Sequence, residues 1–152
     1  GLDNARERER RAAADDRLAD RLEAAGLSRC LEEWYALPLF DSLRVRPALR
    51  QSLLARRARG RAASRAAALR ALTVGRQPSL WADLPRIAVP TLFVAGALDG
   101  RYRAILRRAY ACVAGSRYLV VPGAGHMPHL EHPEFLGHHI RSHLQATEER
   151  IA

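Results

Sequence analysis

Residues 90–102 read PTLFVAGALDGRY, and this stretch decides the fold class of the chain. Its first part is a short apolar run between Pro90 and Gly96, rich in β-forming side chains, which predicts a buried strand. Downstream come a helical pattern (RYRAILRRAYACV), a second apolar run (SRYLVVPG) and a closing helical pattern (HPEFLGHHIRSHL). This alternation, with its short connections, predicts two parallel strands joined by a right-handed crossover.

The residues before this stretch have a different character, being rich in Ala, Leu, Arg and Glu up to about Arg76. Their helical spacing, with stops at Gly26 and Pro38, predicts four short helices and no strand. Those helices correspond to NARERERRAAADDRLADRLEAAG, SRCLEEWYA, ALRQSLLARRA and ASRAAALRALTV. We therefore predict a helical cap region over 1–76, followed by a strand–helix–strand–helix part of an α/β core over 77–152.

Composition limits the classes of protein to which the chain can belong. Its 152 residues, 48% of them hydrophobic, predict one folded domain with a sizeable core. All 25 basic residues are Arg, mixed with acidic residues in the first half, which is typical of charged helix surfaces. Cys30 and Cys112 lie in no metal or redox spacing and predict free thiols. No apolar run reaches the roughly 18 residues that span a membrane. We expect a protein of the bacterial cytoplasm, or of the plastid if it is part of a fused enzyme.

Each predicted strand is followed by a loop with a side chain suited to acid–base chemistry. Asp99 lies just past the first strand and His126 just past the second. Functional groups of parallel α/β sheets collect beyond the carboxyl ends of the strands, so we expect the two side chains to meet. The carboxylate would then fix the tautomer and orientation of the imidazole. Taken singly, Asp99 also fits a turn or helix N-cap, and His126 a hydrogen-bonded loop residue, but together the pair favours catalysis.

The same two loops carry a family resemblance. PTLFVAGALDGRY and VVPGAGHMPHLEHPEFL resemble the C-terminal end of the α/β-hydrolase superfamily, with its G-x-x-D and G-A-G-H loops. GLDNARERERRAAADDRLA, LEEWYALPLFDSL and QPSLWADLPRIAVPTLFVAGALD resemble the 2-succinyl-6-hydroxy-2,4-cyclohexadiene-1-carboxylate synthases of menaquinone and phylloquinone biosynthesis. The resemblance implies an α/β fold class. On this resemblance, the chain corresponds to the C-terminal portion of an α/β-hydrolase fold. That portion is a helical cap followed by the last two parallel strands and their helices, with the N-terminal strands missing.

The resemblance also implies a reaction. Members of this family are lyases that eliminate pyruvate from 2-succinyl-5-enolpyruvyl-6-hydroxy-3-cyclohexene-1-carboxylate, with a Ser-Asp-His triad as the base and no metal or cofactor. The spacing of His126, His129 and His132 agrees with the absence of a metal, because it matches no standard metal site.

Site residues follow by matching positions to the family. Asp99 and His126 match the acid and the histidine of the triad. The positions matched to binding of a small multi-carboxylate substrate are Arg8, Arg11, Trp34, Phe40, Arg56 and Arg101, with Arg57 a close rival of Arg56. Arginine suits carboxylates because its planar guanidinium binds them as a bidentate fork. Taken without the family, a solvated helix face accounts better for each arginine, and core packing for both aromatic residues.

The nucleophile of such a triad is absent from the sequence. No serine lies in a G-x-S-x-G motif, and no oxyanion-hole segment is recognisable. We therefore expect the C-terminal part of a synthase, from a free-standing bacterial enzyme or a fused plastid polypeptide, inactive without an N-terminal half that carries the serine. Since two strands are too few for a covered parallel sheet, we also expect an exposed sheet edge that is prone to association.

Three other interpretations stay open. Another α/β-hydrolase, such as an esterase or a C–C hydrolase, shares the Asp and His loops. From a different class, an Arg-rich nucleic-acid-binding module is compatible with the net charge of +9, but the sequence has no recognised motif or aromatic stacking platform. The third is a non-catalytic interaction module. We expect neither nucleic acid nor a membrane among the partners.

Overall fold

The structure of the chain, a computed structural model, describes residues 2–151. The helices of its first half are α1 (Ala5–Ala25), α2 (Leu27–Tyr35), α3 (Pro47–Arg57) and α4 (Ala62–Leu72). Its second half contains β1 (Leu92–Gly96), α5 (Gly100–Cys112), β2 (Arg117–Val121), α6 (Pro128–Glu131) and α7 (Pro133–Ile151). The predicted helices and strands are all confirmed. The sequence patterns do not predict α6 or the two 3₁₀ segments, Pro38–Leu43 and Trp81–Arg86.

Packing divides the chain into two compact units. The first comprises residues 2–37 and Pro47–Ala82, and the second comprises Pro38–Arg46 and residues 83–151. The 3₁₀ segment that follows α2 therefore belongs to the second unit, although helices of the first unit precede and follow it along the chain. The division into a cap over 1–76 and a core part over 77–152 stays a prediction.

The first unit is built around the contact between α1 and α4. Ala19 and Ala66 are fully buried in its core cluster, where their small side chains allow the two helix backbones to approach closely. Leu22 and Cys30 complete the cluster. α1 ends at Gly26, whose φ of 81° is readily adopted only by glycine, so the chain can change direction before α2 begins.

A buried carboxylate joins α1 to the residue that follows α4. Asp15 is 5% exposed, and its Oδ2 accepts hydrogen bonds from the Thr73 hydroxyl at 2.5 Å and from Arg11 Nε at 2.8 Å. Two donors offset the cost of removing this carboxylate from water.

Exposed ion pairs link the same part of the first unit. Arg70 on α4 bonds Asp20 at 2.7 Å and Glu23 at 2.8 Å, and Arg76 bonds Asp16 at 2.6 Å. The hydrogen bond from Arg76 lowers the pKa of Asp16, and the hydrogen bonds from Arg70 lower the pKa of Glu23. Because these groups are exposed, solvent screens the pairs and each contributes little to stability.

The second unit contains a sheet whose described part has two parallel strands, as predicted. The register pairs Leu92 with Arg117 and Gly96 with Val121, so both strands end at the same edge. Most side chains of the two strands are only half-buried, whereas strands inside a parallel sheet are buried on both faces.

Every helix within residues 2–151 is too short or too polar to cross a lipid bilayer.

Candidate active site

Asp99 and His126 meet at the edge where both strands end. Asp99 Oδ2 lies 2.7 Å from His126 Nδ1, and the aspartate side chain is 4% exposed. The other carboxylate oxygen, Oδ1, accepts a hydrogen bond from the backbone N–H of Tyr102 at 3.0 Å and caps α5. Asp99 is therefore both a helix cap and the partner of the histidine, and the cap holds the carboxylate in the orientation that reaches the imidazole.

This geometry fixes the tautomer of His126. An ionised carboxylate only accepts hydrogen bonds, so the ring proton of the neutral imidazole resides on Nδ1 and Nε2 carries the lone pair. The side chain is 28% exposed. A partly exposed imidazole with a free lone pair and an aspartate behind it can act as a general base.

Two aromatic rings confine the imidazole. The ring of Tyr102 lies 4.6 Å from that of His126 at a tilt of 55°, and the ring of Phe40 lies 5.6 Å away, edge to face. Phe40, which the family resemblance assigns to the substrate pocket, is 5% exposed in this position. The sequence analysis missed Tyr102, although its place three residues after a capping aspartate is a signal for contact at the strand ends.

The histidine loop is held by a buried acid that the sequence analysis also missed. Glu131, the last residue of α6, accepts hydrogen bonds from backbone N–H groups on either side of His126 and forms an ion pair with Arg46. Its signal in the sequence is an acid five residues after the histidine, in a loop between two prolines. Arg46 gives no such signal, because it is 85 residues away from its partner.

Glycines allow the backbone of this loop to lie directly on β1. A Cβ at Gly96 would overlap the carbonyl oxygens of Ala124 and Gly125, and a Cβ at Gly125 would overlap the side chain of Ser42. The hydroxyl of Ser42 is buried there without a hydrogen-bond partner among the described residues. Close packing therefore fixes the height of the loop above the strand end.

Residues 3–137 match the model of the alpha/beta hydrolase family. The chain belongs to this family. The predicted fold class is thus confirmed, with the described residues forming part of an α/β-hydrolase fold that includes an acid loop and a histidine loop at its strand ends.

The relatives of this alpha/beta hydrolase agree with the resemblance seen in its sequence. A Serratia proteamaculans 2-succinyl-6-hydroxy-2,4-cyclohexadiene-1-carboxylate synthase is 33% identical over 95% of the chain and 54% of its own length. A Bacillus subtilis protein provisionally given the same name is 34% identical over 90% of the chain and 50% of its own length. The chain thus spans about half the length of the curated relatives it matches.

Solved structures agree as well. MenH from S. aureus is 28% identical, with a TM-score of 0.94 over 97% of the chain and 56% of its own length. A thermophilic esterase from Thermogutta terrifontis with malate bound has a TM-score of 0.79 over 91% of the chain and 51% of its own length. At 22% identity the esterase shows the shared fold alone.

Of the matched substrate residues, Phe40 and Arg101 belong to the second unit of this alpha/beta hydrolase, and the others belong to the first unit. Phe40 contacts His126, and Arg101 is an exposed residue in the first turn of α5, two positions after Asp99. Among residues 2–151, no group of three or more His, Cys, Asp or Glu side chains is arranged to hold a metal ion.

The two matched arginines of α1 already have partners within the first unit. Arg8 donates to the carbonyl oxygens of Leu2 at 2.8 Å and Asp3 at 3.0 Å. Arg11 donates from Nε to Asp15, which leaves the two terminal nitrogens of its guanidinium for another acceptor. Each of the two arginines therefore uses one guanidinium nitrogen in these contacts, Nη1 in Arg8 and Nε in Arg11.

The matched residue Trp34 lines an apolar cavity of about 170 Å³ inside the first unit. Arg57 lines the same cavity and Arg56 does not, although both side chains are exposed residues of α3. Tyr35 also lines it, and burial raises the pKa of its phenol while Arg57 and Arg56 partly offset that rise. Of the two rival arginines, Arg57 is the one that shares a cavity with Trp34.

Proposed function

We propose that this chain provides the acid and the base of a lyase that releases pyruvate in menaquinone or phylloquinone biosynthesis. The substrate is 2-succinyl-5-enolpyruvyl-6-hydroxy-3-cyclohexene-1-carboxylate, and the product is 2-succinyl-6-hydroxy-2,4-cyclohexadiene-1-carboxylate. The observation that carries the proposal is the 2.7 Å contact between Asp99 and His126, which leaves Nε2 as an acceptor. Support comes from relatives named as this synthase, at 33–34% identity over at least 90% of the chain.

The formulas of substrate and product define the chemistry that the base must perform. The C2–H bond, acidic because it lies next to the succinyl ketone, breaks and its electrons form the C2=C3 double bond. The C3=C4 electrons move to C4=C5, and the bond from C5 to the enolpyruvyl oxygen breaks. The departing enolate takes a proton on carbon and becomes pyruvate. The elimination needs a base and a proton return, with no oxidant or reductant.

His126 takes part in both proton steps in this proposal. Its Nε2 takes the proton of the triad serine, whose oxygen then removes the C2 proton of the substrate. The imidazolium, which stays paired with Asp99, returns its proton to the carbon of the departing enolate. The 152 residues contain no G-x-S-x-G motif. The proposed partner is therefore an N-terminal half of the same fold that carries the serine.

The substrate is a small anion with several carboxylates, and arginines are proposed to bind it. The candidates are Arg8, Arg11, Arg101 and one of Arg56 and Arg57, with Trp34 and Phe40 as candidate lining residues of the pocket. We place the protein in the bacterial cytoplasm, or in the plastid where it is the last part of a fused polypeptide. No cofactor enters the proposed reaction.

The direct test measures pyruvate release by the chain alone and by the chain joined to the N-terminal half of the Serratia relative. We expect no release from the chain alone, release from the joined protein, and loss of release when His126→Ala is introduced. A folded joined protein that hydrolyses neutral esters but releases no pyruvate would instead establish the esterase alternative. Full activity of the His126→Ala form would remove the histidine from the mechanism.

A further inference from the structure

The carboxylate of Glu131 is sealed inside the second unit, beside the histidine loop. Its side chain is 0% exposed, a state that glutamate almost never adopts unless it is paired. Oε1 accepts a hydrogen bond from the N–H of Met127 at 3.1 Å, and Oε2 accepts one from the N–H of Gly125 at 3.0 Å. Arg46 Nη1 donates to Oε2 as well, at 2.9 Å. Every polar atom of this carboxylate is in use.

Such an arrangement is costly if it serves stability alone. Burial of a carboxylate costs several kcal/mol before its partners compensate, and well-packed apolar side chains often replace buried ion pairs without loss. The two N–H groups belong to the residues immediately before and after His126. An apolar residue at position 131 would leave both without an acceptor, at about 1–3 kcal/mol for each. The carboxylate therefore holds the loop backbone on both sides of the histidine.

Arg46 extends this restraint to the segment that follows α2. Its Nη2 lies 2.9 Å from Nε2 of His132, and because arginine only donates, His132 accepts and is neutral in this contact. Residues of the same Pro38–Arg46 segment touch the loop at two further places, with Phe40 against the His126 ring and Ser42 against Gly125. The aromatic rings confine the plane of the imidazole, but they leave the position of its backbone to other contacts.

We propose that Glu131 is a positioning residue for His126. By holding the N–H groups of Gly125 and Met127, it sets the distance between His126 Nδ1 and Asp99. Its effect on catalysis rests on the proposed function, in which His126 is the base. Its effect on the histidine ring does not depend on that function and can be measured in the chain itself.

The test replaces Glu131 in the 152-residue chain and follows the His126 ring by ¹H–¹⁵N NMR. Glu131→Gln keeps the shape of the side chain but has one acceptor oxygen where the carboxylate has two, so one loop N–H loses its partner. We expect the Nδ1–H proton of His126 to exchange with water about tenfold faster, because a hydrogen bond to a charged acceptor is lost. Glu134→Gln, at an exposed carboxylate three residues along, is the matched control and leaves this proton unchanged.

A second variant covers the case in which Glu131→Gln fails to fold. Glu131→Asp keeps the charge, but its shorter arm cannot reach both N–H groups, so the same acceleration of Nδ1–H exchange is expected. A third measurement needs no substitution. In the unmodified chain, the backbone amides of Gly125 and Met127 must exchange with water more slowly than the amide of Gly123, an exposed residue of the same loop.

Activity gives an independent readout. In the chain joined to an N-terminal half, Glu131→Gln should lower kcat by about 10–100-fold with KM within twofold, because the base is misplaced while substrate contacts remain. A joined protein without lyase activity refutes the proposed function and leaves the ring measurement intact. Unchanged Nδ1–H exchange in a folded Glu131 variant, or fast amide exchange at Gly125 or Met127, overturns the positioning role.

Discussion

The two units of this chain use their acidic residues in different ways. In the first unit, Asp16, Asp20 and Glu23 are exposed and pair with arginine side chains. In the second unit, Asp99 and Glu131 are buried, and both accept hydrogen bonds from backbone N–H groups. Water can replace the partner of an exposed carboxylate at little cost, whereas a buried one needs each of its donors. An acid that accepts hydrogen bonds from backbone N–H groups therefore holds that backbone in place. In the second unit, Asp99 and Glu131 together fix the position and orientation of His126.

Asp15 is an exception to this contrast, because it is a buried acid of the first unit. It is as buried as Asp99, but it accepts hydrogen bonds from the side chains of Arg11 and Thr73 rather than from loop amides. It connects helices, and we expect its loss to lower stability rather than to misplace a catalytic group.

The largest expected effect tests the acid of the second unit. Asp99→Asn can cap α5, but its amide can donate to Nδ1 and so favours the wrong tautomer of His126. In the chain joined to an N-terminal half, we expect kcat to fall about 10³–10⁴-fold. Asp16→Asn, at an exposed carboxylate of the first unit, should leave kcat within about twofold. Similar losses from both variants would contradict the comparison between the units.

The next effect concerns the contact between β1 and the histidine loop. A Cβ at Gly96 meets backbone carbonyl oxygens, which cannot move aside as a flexible side chain would. We expect Gly96→Ala to lower the free energy of unfolding by about 3 kcal/mol or more, measured by urea denaturation. A Cβ at Gly100 would lie in open space, so Gly100→Ala should change the free energy of unfolding by less than about 1 kcal/mol. Equal stability of the two variants would show that the loop does not pack on β1 as described.

A smaller effect is expected at the buried acid of the first unit. Thr73→Val removes the hydroxyl that donates to Asp15 at 2.5 Å while keeping the side-chain shape. We expect a loss of about 1–3 kcal/mol, because a buried carboxylate loses one of its donors. Thr147→Val is the control, because this hydroxyl donates to a carbonyl of its own helix. Its free energy of unfolding should change by about 0.5 kcal/mol. If both variants lost the same free energy of unfolding, the hydrogen bond between Thr73 and Asp15 would not explain the effect at Thr73.

The smallest effect is a pH-dependent one in the first unit. The hydrogen bond from Arg76 lowers the pKa of Asp16 below its usual 3.8, so the pair stabilises the fold above that pH. The stabilisation is lost as the pH falls through the lowered value. We expect Arg76→Met to melt slightly below the unmodified chain at pH 7, with a difference that disappears once the pH lies below the lowered pKa of Asp16. If the difference in melting temperature does not change with pH, or does not change when salt is added, its cause is not this ion pair.

Most of the fold was accessible from local signals. Gly26 and Pro38 mark helix ends because one permits a positive φ and the other interrupts a helix. The pair of Asp99 and His126 was predictable because parallel strands bring their carboxyl ends to one edge. Each of these inferences needs only neighbouring residues or one general property of sheets.

The supporting contacts of the site were not predictable in this way. Arg46 and Glu131 are 85 residues apart, and nothing in a run of arginines distinguishes the one that pairs with a buried acid. The choice between Arg56 and Arg57 stays open for a related reason, since adjacent residues on a helix face different directions and the sequence does not orient them.

The position of Pro38–Arg46 has a consequence for recombination between relatives. An exchange of helical halves with a single crossover at residue 76 would replace this segment together with the helices around it. The incoming residues would then have to match a histidine loop that had evolved against Phe40, Ser42 and Arg46. Chimeras that retain Pro38–Arg46 with its own loop should therefore preserve the base, and a library that ignores this segment would discard functional combinations.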